Sequence, residues 1–432
     1  MLSVWNANSE FKSFPKLEKD IRTDVAIIGG GITGLLCAYM LKQKGIDAVV
    51  VEADKVCKGV TQNTTAKITS QHGFIYDKLI KKYGIEKAKM YLQANEKALM
   101  KYREMSQFIS CDFEIKDNYV YSLHNSRKVN DELHALVRLG YNPDFCTDIP
   151  VPIDIVGAVK FPNQAQFNPL QFLSFISKGL TIYENTKVIE IHGKRAITEN
   201  AKITADYFIV TTHFPFMNKY GGYFIKLYQE RSYVIALQNG PEVNGMYVDE
   251  AKKGMSFRNY KNCLLIGGGD HRTGKEGGNY RELKAFSAIN YPGNPIKYFW
   301  STQDCMSLDG VPYIGKYSSK IPNVFVATGF NKWGMTTAMV SAEILSDMIL
   351  GKKNEYEILF SPSRSMLTLQ LPVNAFESVV GILTPSQKRC PHLGCALKWN
   401  SAEHSWDCPC HGSRFTETGK LIENPATDDL KK

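Results

Sequence analysis

One stretch of the sequence, residues 24–54, constrains the fold more than any other. An apolar, β-branched run, Val25–Ile28, predicts a strand. A helical pattern then continues to Leu41, and Ala48–Val51 predicts a second strand that ends at Glu52. A strand, a helix and a second strand in this order form a βαβ unit. The sequence therefore predicts an α/β domain near the N-terminus.

The turn between the first strand and the helix has the pattern Gly29-x-Gly31-x-x-Gly34. Gly29 permits a tight turn, Gly31 lets the backbone approach a pyrophosphate, and Gly34 lets the helix pack closely on the strand. The phosphates would bind at the N-terminus of this helix. Glu52 can accept hydrogen bonds from a ribose 2′-hydroxyl and repels a 2′-phosphate, which disfavours NADP. The pattern predicts a dinucleotide site.

A second strand, turn and helix pattern lies late in the chain, at Asn323–Leu350, with Gly329 and Gly334 in its turn. Two such patterns far apart in the chain suit a long cofactor that is held at both ends. The N-terminus of the second helix would then face a flavin ring. The two patterns together favour FAD over NAD.

These segments resemble the FAD-dependent D-amino-acid oxidase and glycine oxidase superfamily. The late segment resembles the strand and glycine turn that cover the flavin, and four other segments follow the family's order: Thr61–Gly73, Phe167–Ile191, Ala205–Phe216 and Asp309–Gly315. The resemblance covers about residues 20–350. It implies an α/β, Rossmann-like FAD-binding domain of the glutathione-reductase type, combined with an α+β substrate domain.

The resemblance also implies which residues bind FAD. The loop Thr64–Lys67 passes beside the isoalloxazine ring, and the backbone near Val188 meets the adenine. The implied FAD-binding residues are Gly29, Gly31, Thr33, Gly34, Glu52, Thr64, Thr65, Ala66, Lys67, Val188, Thr211, Gly329, Gly334 and Met335.

The same resemblance implies domain boundaries. Residues 1–360 form the oxidoreductase unit, with FAD-binding parts at about 20–75, 150–215 and 300–350 and a substrate domain at about 76–149 and 216–299. Within the substrate domain, residues 76–109 predict amphipathic helix, and short runs such as 231–237 and 263–270 predict strands of a sheet over the flavin.

Four residues of this substrate domain are candidates for catalysis or substrate binding: Tyr233, Arg258, His271 and Arg272. A carboxylated amine would need a guanidinium clamp, which is the reason for including the arginines. A structural role is the alternative for each, since none of the family's substrate-binding motifs is matched. Cys305 is predicted to be structural.

The C-terminal stretch contains four cysteines and three histidines within residues 390–415. Cys390-x-His392 and Cys408-x-x-His411 place one thiol and one imidazole on each of two short loops. Two thiolates and two imidazoles can hold a [2Fe-2S] cluster with both imidazoles on one iron. The same four side chains also satisfy a tetrahedral zinc ion, so both metal sites remain open from the residues alone.

CPHLGC and CPCHGS resemble the two loop motifs of the Rieske family. The resemblance implies that Cys390 and Cys408 bind one iron of a [2Fe-2S] cluster, and that His392 and His411 bind the other. It implies a Rieske domain at residues 364–432, which leaves room for few strands and therefore predicts an abbreviated all-β domain.

Other residues of the tail refine this prediction. Cys395 and Cys410 occupy positions where some Rieske proteins have a disulfide, and a dithiol is the alternative in a reducing compartment. Phe415 stands where the family commonly has a tyrosine that donates a hydrogen bond to a cysteine sulfur. Ser413 remains as a donor, and the missing bond predicts a mid-range to low potential for the class. His404 is predicted to be exposed and not a ligand.

The composition of the chain indicates which classes of partner it can bind. The formal charge of +9 comes from 52 basic and 43 acidic residues that are interspersed along the chain, which predicts a solvated surface and no nucleic-acid partner. No run of about 18 apolar residues and no leader pattern is present, so we expect no membrane span and a cytoplasmic location.

A flavin and a Rieske cluster together suggest a direction for function. A flavin exchanges two electrons with a C–N bond and a Rieske cluster carries one electron at a time. We expect an oxidoreductase that passes electrons between a small amine or amino-acid-like substrate, the cluster and an unknown electron-transfer partner. The alternatives are a non-catalytic redox sensor and a flavoenzyme whose C-terminal site holds structural zinc.

Overall fold

The computed structural model describes residues 3–8 and 11–431. Residues 1 and 432, the outer ends of the two predicted domain ranges, lie outside the described residues. The α-helices are α1 Ile32–Gln43, α2 Tyr76–Tyr83, α3 Ile85–Ser106, α4 Ser126–Arg138, α5 Pro169–Ile176, α6 Tyr223–Lys226, α7 Asn279–Asn290, α8 Gly334–Ile349, α9 Glu357–Phe360 and α10 Gln370–Leu383. None of these helices combines the length and the apolar composition that crossing a bilayer requires.

The strands group into three sheets. In chain order they are β1 Ile21–Ile28, β2 Ala48–Val51, β3 Lys67–Ile68, β4 Glu114–Ser122, β5 Asp144–Cys146, β6 Gly157–Gln166, β7 Thr181–Tyr183, β8 Val188–His192, β9 Arg195–Thr198, β10 Lys202–Val210, β11 Leu227–Gln238, β12 Met246–Asp249, β13 Ser256–Tyr260, β14 Cys263–Arg272, β15 Ile296–Ser307, β16 Tyr313–Lys316, β17 Val324–Thr328, β18 Lys398–Asn400, β19 Ser405–Asp407, β20 Arg414–Thr416 and β21 Leu421–Glu423.

The first sheet has the strand order β16-β17-β10-β1-β2-β7, with the β8–β9 hairpin joined to β10. β1 runs parallel to β2 and β10, and β10 runs parallel to β17. Val25, Ala26 and Ile27 of β1 are fully buried, as expected for a parallel sheet that is covered on both faces. The predicted βαβ unit is confirmed, and α8 packs beside α1.

The second sheet has the order β15-β11-β14-β13-β12-β4-β6-β3, with β5 paired to β6. Its long strands β11, β14 and β15 are antiparallel neighbours. The predicted helical stretch forms α2 and α3. Strand β6 and all of β15 hydrogen-bond in this sheet, so it includes residues beyond the predicted ranges 76–149 and 216–299.

The third sheet is small, antiparallel and four-stranded, in the order β18-β19-β20-β21. Each of its strands has three residues. Its core contains Leu397, Phe415 and Ala426 together with the four cysteines of the tail. The all-β cluster domain is therefore as abbreviated as the length of the tail predicts.

Helix α10 connects the flavin-binding part to the cluster loops and packs with an unusual orientation. Its inner face carries the buried Asn374 and Gly381, while Val373, Phe376 and Leu383 on its outer face are exposed. A Cβ added to Gly381 would lie 2.3 Å from the Cys410 Sγ. The helix therefore approaches the cluster loops so closely that only glycine fits at this contact.

Candidate functional site

A large cavity of about 1760 Å³ runs from the Gly29 turn to the cluster domain. Every implied FAD-binding residue lines it except Gly34 and Ala66. At its other end the cavity is lined by Arg414 and Glu423 of the cluster domain. The cavity therefore connects the predicted FAD site with the interface between the domains.

Two glycines show why the cavity can accept phosphates. A Cβ on Gly34 would lie 2.0 Å from the carbonyl oxygen of Gly29. Gly29 has a φ of +111°, and a Cβ there would lie 2.7 Å from the Thr211 carbonyl oxygen. Because side chains are excluded, α1 packs against β1 and its N-terminus borders the open cavity. The residues present fit the diphosphate of FAD.

Glu52 is fixed at the end of β2. Its Oε2 accepts a hydrogen bond from the Gly30 amide at 2.7 Å, and its Oε1 accepts one from the Asp54 amide at 3.0 Å. Burial raises the pKa of Glu52, and these amides partly oppose that shift. Glu52 and Val188 both line the cavity, as the dinucleotide prediction requires for a ribose and an adenine.

Arg258 supports the predicted flavin loop from behind. Its Nη1 donates hydrogen bonds to the carbonyl oxygens of Thr65 at 2.6 Å and Ala66 at 2.9 Å, and the guanidinium stacks on Trp5. The Trp5 indole donates to the Thr64 carbonyl at 2.7 Å. Arg258 does not line the cavity, so the structure places it as a support for this loop instead of a carboxylate clamp.

Lys67 points into the cavity from the same loop. Its Nζ donates hydrogen bonds to the Thr65 hydroxyl at 3.1 Å and the Ser256 hydroxyl at 3.4 Å. Burial, and to a smaller extent the charge of Arg258, lowers the pKa of Lys67 to about 7. When it is protonated, the Lys67 ammonium group can stabilise negative charge on a flavin ring or a substrate.

The two tail loops have matching backbone turns. In the first loop, the Gly394 amide donates to the Cys390 carbonyl at 2.9 Å; in the second, the Gly412 amide donates to the Cys408 carbonyl at 2.9 Å. Both glycines have positive φ, 77° and 88°. The loops therefore present Cys390 and Cys408 as free, buried thiols in equivalent positions. The structure joins the loops by a disulfide between Cys395 and Cys410.

The two imidazoles are prepared to bind a metal. The ring centres of His392 and His411 are 4.9 Å apart, and the Nδ1 atom of each is buried without a hydrogen-bond partner. Burial lowers the pKa of His392 to about 4 and that of His411 to about 3, so both rings are neutral at physiological pH. Neutral imidazoles with free nitrogens, beside two free thiols, fit the predicted iron ligands.

Ser413 and Phe415 complete the cluster site. The Ser413 hydroxyl accepts a hydrogen bond from the Ala426 amide at 2.9 Å, and its role as a donor to the cluster stays a prediction. Phe415 is fully buried in the small core and offers no hydrogen-bond donor. His404 lies in the turn before β19, away from both ligand loops, and contacts Trp399.

The histidine edge of the cluster site faces the flavin-binding part of the chain. The Phe214 ring centre lies 6.4 Å from that of His392 and 6.5 Å from that of His411. Phe224 lies 6.4 Å from His411, and the Asn218 Oδ1 is 2.8 Å from the His392 Nε2. The predicted iron ligands are therefore packed between the two domains.

Arg272 anchors the second cluster loop. Its Nε donates to the Pro409 carbonyl at 3.1 Å, its Nη2 donates to the Cys410 carbonyl at 3.0 Å, and its Nη1 donates to the Asn374 Oδ1 at 3.0 Å. The guanidinium also stacks on Tyr228, which lines the cavity. Arg272 thus contacts the cluster loop and does not reach the cavity as a substrate clamp.

A buried ion-pair network holds the cluster domain on the substrate sheet. Arg231, which is 1% exposed, pairs with Glu403 and Glu423, and Arg414 pairs with the same two carboxylates. The Tyr233 hydroxyl donates to Glu403 at 3.1 Å. Tyr233 therefore borders both the network and the cavity.

His271 stacks on Tyr233 with ring centres 5.7 Å apart, and its Nδ1 contacts the Gly269 carbonyl at 3.1 Å. It does not line the cavity. Of the four candidate residues, only Tyr233 borders the cavity. No sequence pattern predicts Arg231 as a site residue, because Glu230 and Ser232 flank it in β11 and such a polar run gives no signal of a buried charge.

The cavity also has an acidic wall that no sequence motif predicts. Glu230, Asp270 and Asp304 come from β11, β14 and β15, and Lys332 lies in the turn before α8. Lys332 Nζ is 2.7 Å from Asp270 and 3.2 Å from Glu230. Burial, and then the neighbouring carboxylates, raises the pKa of Asp304 to about 7, against the opposing effect of Lys332.

Comparisons with known proteins agree with both halves of the chain. The FAD dependent oxidoreductase family matches residues 24–348, and the Rieske [2Fe-2S] domain family matches residues 372–432. The second match decides between the two metal sites left open by the residues, in favour of a [2Fe-2S] cluster over zinc.

One curated relative is similar over the whole chain, and two solved structures are similar over about four fifths of it. A putative Rieske 2Fe-2S iron-sulfur protein, YhfW, of Bacillus subtilis is 35% identical over 100% of this chain and 97% of its own length. Glycine oxidase from Geobacillus kaustophilus shares the fold at 18% identity and a TM-score of 0.67, covering 80% of this chain and 99% of its own. L-proline dehydrogenase from P. horikoshii is similar at 16% identity and a TM-score of 0.67, covering 81% and 98%. The chain belongs to the FAD-dependent oxidoreductase family and carries a Rieske [2Fe-2S] domain at its C-terminus.

Proposed function

We propose that this enzyme oxidises a small amine or amino-acid-like substrate at the flavin and passes the electrons through the Rieske cluster to a separate redox partner. A bound flavin supplies the two-electron oxidation of a C–N bond, and a bound cluster supplies one-electron transfer. The solved structures with this fold include a glycine oxidase and a proline dehydrogenase, which supports a substrate of this class. The six cysteines outside the tail remain thiols, which supports a cytoplasmic location.

The observation that carries the proposal is the orientation of the cluster ligands. Both histidines lie against Phe214, at the end of a segment whose Thr211, Thr212 and His213 line the flavin cavity. Phe214 directly follows His213 in the chain, so one short segment links the cavity to the cluster site. Such a short connection favours electron transfer within the molecule, from flavin to cluster.

Direct hydrogen bonds hold this arrangement in place. The Asn424 side chain of the cluster domain donates to the carbonyl oxygens of Thr212 at 2.7 Å and Phe214 at 2.8 Å. From the substrate sheet, Gln229 donates to the His411 carbonyl at 2.8 Å and Gln303 donates to the Gly412 carbonyl at 2.9 Å. The cluster loop is therefore fixed relative to both cavity walls, as a fixed electron path requires.

The test mixes the oxidised holoprotein anaerobically with a panel of small amines and amino acids, and follows flavin absorbance and the EPR signal of the reduced cluster. We expect a substrate to bleach the flavin and then to produce the cluster signal. In His411→Ala the flavin should still bleach, and the cluster signal should be lost. His404→Ala changes an exposed histidine of the same domain and should behave as the wild type.

Two outcomes would contradict the proposal. Flavin bleaching without cluster reduction in the wild type would show that the cluster is not on the electron path. Failure of every amine to bleach the flavin, combined with partner binding that changes with the redox state of the cluster, would favour the redox sensor.

A further inference from the structure

We propose that the acidic wall, formed by Glu230, Asp270, Asp304 and Lys332, binds the positively charged nitrogen of the substrate, and that the Asp304 carboxylate removes its proton. This inference rests on the proposed function and narrows the substrate class to cationic amines. It adds a catalytic base to a site for which the sequence provides no such residue.

The geometry of three strands creates this wall. Glu230 on β11 and Asp304 on β15 are direct cross-strand partners, and Asp270 lies on β14, the other neighbour of β11. The three carboxylates share one ammonium group, that of Lys332, which pairs with Glu230 and Asp270. Asp304 receives no hydrogen bond from the described residues and faces the cavity. The wall therefore has an excess of negative charge at an accessible carboxylate.

An independent observation indicates a ligand at the same place. Thr302 precedes Asp304 on the same face of β15 and lines the cavity, and it is 9% exposed. Its hydroxyl is buried without a hydrogen-bond partner, as is that of Ser232, which lies opposite Thr302 on β11. Buried hydroxyls are rarely left unpaired in native proteins. Two unpaired hydroxyls beside an unpaired carboxylate fit the N–H donors of a bound ammonium group.

The arginines near the cavity do not offer the alternative, a clamp for a substrate carboxylate. Arg231 and Arg414 are paired with Glu403 and Glu423. The other two candidates, Arg258 and Arg272, bind backbone carbonyls of the flavin loop and the cluster loop, and neither lines the cavity. The charge that this wall can attract is therefore positive.

The proton transfer has a chemical purpose. An alkylammonium group, with a pKa near that of lysine at about 10.4, has no lone pair on nitrogen to assist oxidation of the adjacent carbon. Asp304 takes the proton onto a carboxylate oxygen, and the two electrons of the broken N–H bond stay on the nitrogen as its lone pair. The charged groups that face Asp304 are Lys332, Asp270, Glu230 and Arg231. Burial raises the pKa of Asp304 to about 7, with Asp270 and Glu230 adding to the rise and Lys332 and Arg231 opposing it, so this pKa is closer to that of an amine than the pKa of an ordinary aspartate is.

The experiment measures binding to the holoprotein by calorimetry, with n-butylamine and butyrate as probes of equal length and opposite charge. We expect n-butylamine to bind at pH 8 and butyrate to bind at least tenfold more weakly. Asp304→Asn keeps the shape and removes the charge, and should weaken n-butylamine binding about tenfold. Lys332→Met should tighten it, a change opposite to the effect of general structural damage. Glu242→Gln removes an exposed carboxylate elsewhere and should change nothing.

The wild-type affinity for n-butylamine should also rise between pH 6 and pH 8, as Asp304 loses its proton, and this dependence should disappear in Asp304→Asn. Unchanged binding in Asp304→Asn, or tighter binding of butyrate than of n-butylamine, would overturn the inference, and the latter would point to Lys67. If n-butylamine binds as expected but the mixing test shows no reduction of the cluster, the inference about the acidic wall stands, and only the proposed electron path is contradicted.

Discussion

At the scale of single residues, the two predicted cofactor sites depend on the chemistry of glycine, cysteine and histidine. Gly29 and Gly34 are required by contacts with backbone atoms, and the free Nδ1 atoms of His392 and His411 fit the ligand roles implied by the Rieske resemblance. The arginine candidates could not be assigned in the same way. A guanidinium group can serve a substrate, a loop or an ion pair, and only its neighbours in space decide which.

Phe415 provides a test at this scale. Phe415→Tyr would add a hydroxyl donor within the small core of the cluster domain, and a hydrogen bond to a cysteine sulfur stabilises the reduced cluster. We expect the reduction potential to rise by about 60 mV, which corresponds to a bond of about 1.4 kcal/mol for one electron. Protein voltammetry measures this change. Phe415→Leu adds no donor and serves as the control, and an unchanged or lower potential in Phe415→Tyr would contradict the argument.

At the scale of elements, α10 shows how an apolar sequence pattern can mislead. Its sequence, QLPVNAFESVVGIL, predicts a helix that buries its apolar side chains, yet the structure buries Asn374 and Gly381 and exposes Phe376 and Leu383. The contacts that α10 makes with its neighbours explain this orientation. Arg272 needs the Asn374 side chain, and the disulfide at Cys410 leaves room only for glycine.

Gly381→Ala tests the role of α10. The added methyl group would lie 2.3 Å from the Cys410 Sγ, which the disulfide holds in place, so the helix must move away from the cluster loops. We expect a destabilisation of the cluster domain of about 1–3 kcal/mol and a lower content of iron and acid-labile sulfide, with FAD content unchanged. Metal analysis and thermal unfolding measure both. Val379→Ala on the exposed face is the matched control; equal losses in both variants would argue against a specific contact.

At the scale of the whole molecule, the buried network of Arg231, Arg414, Glu403 and Glu423 attaches the cluster domain to the substrate sheet. Burial alone would raise the pKa of Glu403, but the charges of Arg231 and Arg414 outweigh it and lower the pKa to about 2. A carboxylate with a depressed pKa stabilises the folded state above its unfolded pKa of 4.5. That stability is lost as the pH falls from about 4.5 to about 2.

This network predicts a pH-dependent effect of Glu403→Gln. At pH 7 the variant should lose about 3 kcal/mol of unfolding free energy, because it leaves buried arginine charge uncompensated. At pH 3 the difference should be smaller, since the carboxyl group of the unfolded wild type, with a pKa of 4.5, is then protonated, and this favours the unfolded state although the folded-state carboxylate is still mostly ionised. Denaturant unfolding at both pH values measures the effect. Glu355→Gln, which breaks an exposed pair with Lys97, should have little effect, and a pH-independent loss in Glu403→Gln would contradict the electrostatic account.

The sequence by itself determined the dinucleotide turn and the two ligand loops of the cluster, because the residues of each lie close together in the chain, with spacings that the turns themselves impose. Gly29 to Gly34 and the two tail loops are local motifs of this kind. Only the tertiary structure decided which carboxylates come together in the acidic wall and which way the cluster ligands face. Glu230, Asp270 and Asp304 come from three strands, and they share a face because of strand pairing, a register that no local pattern of residues specifies.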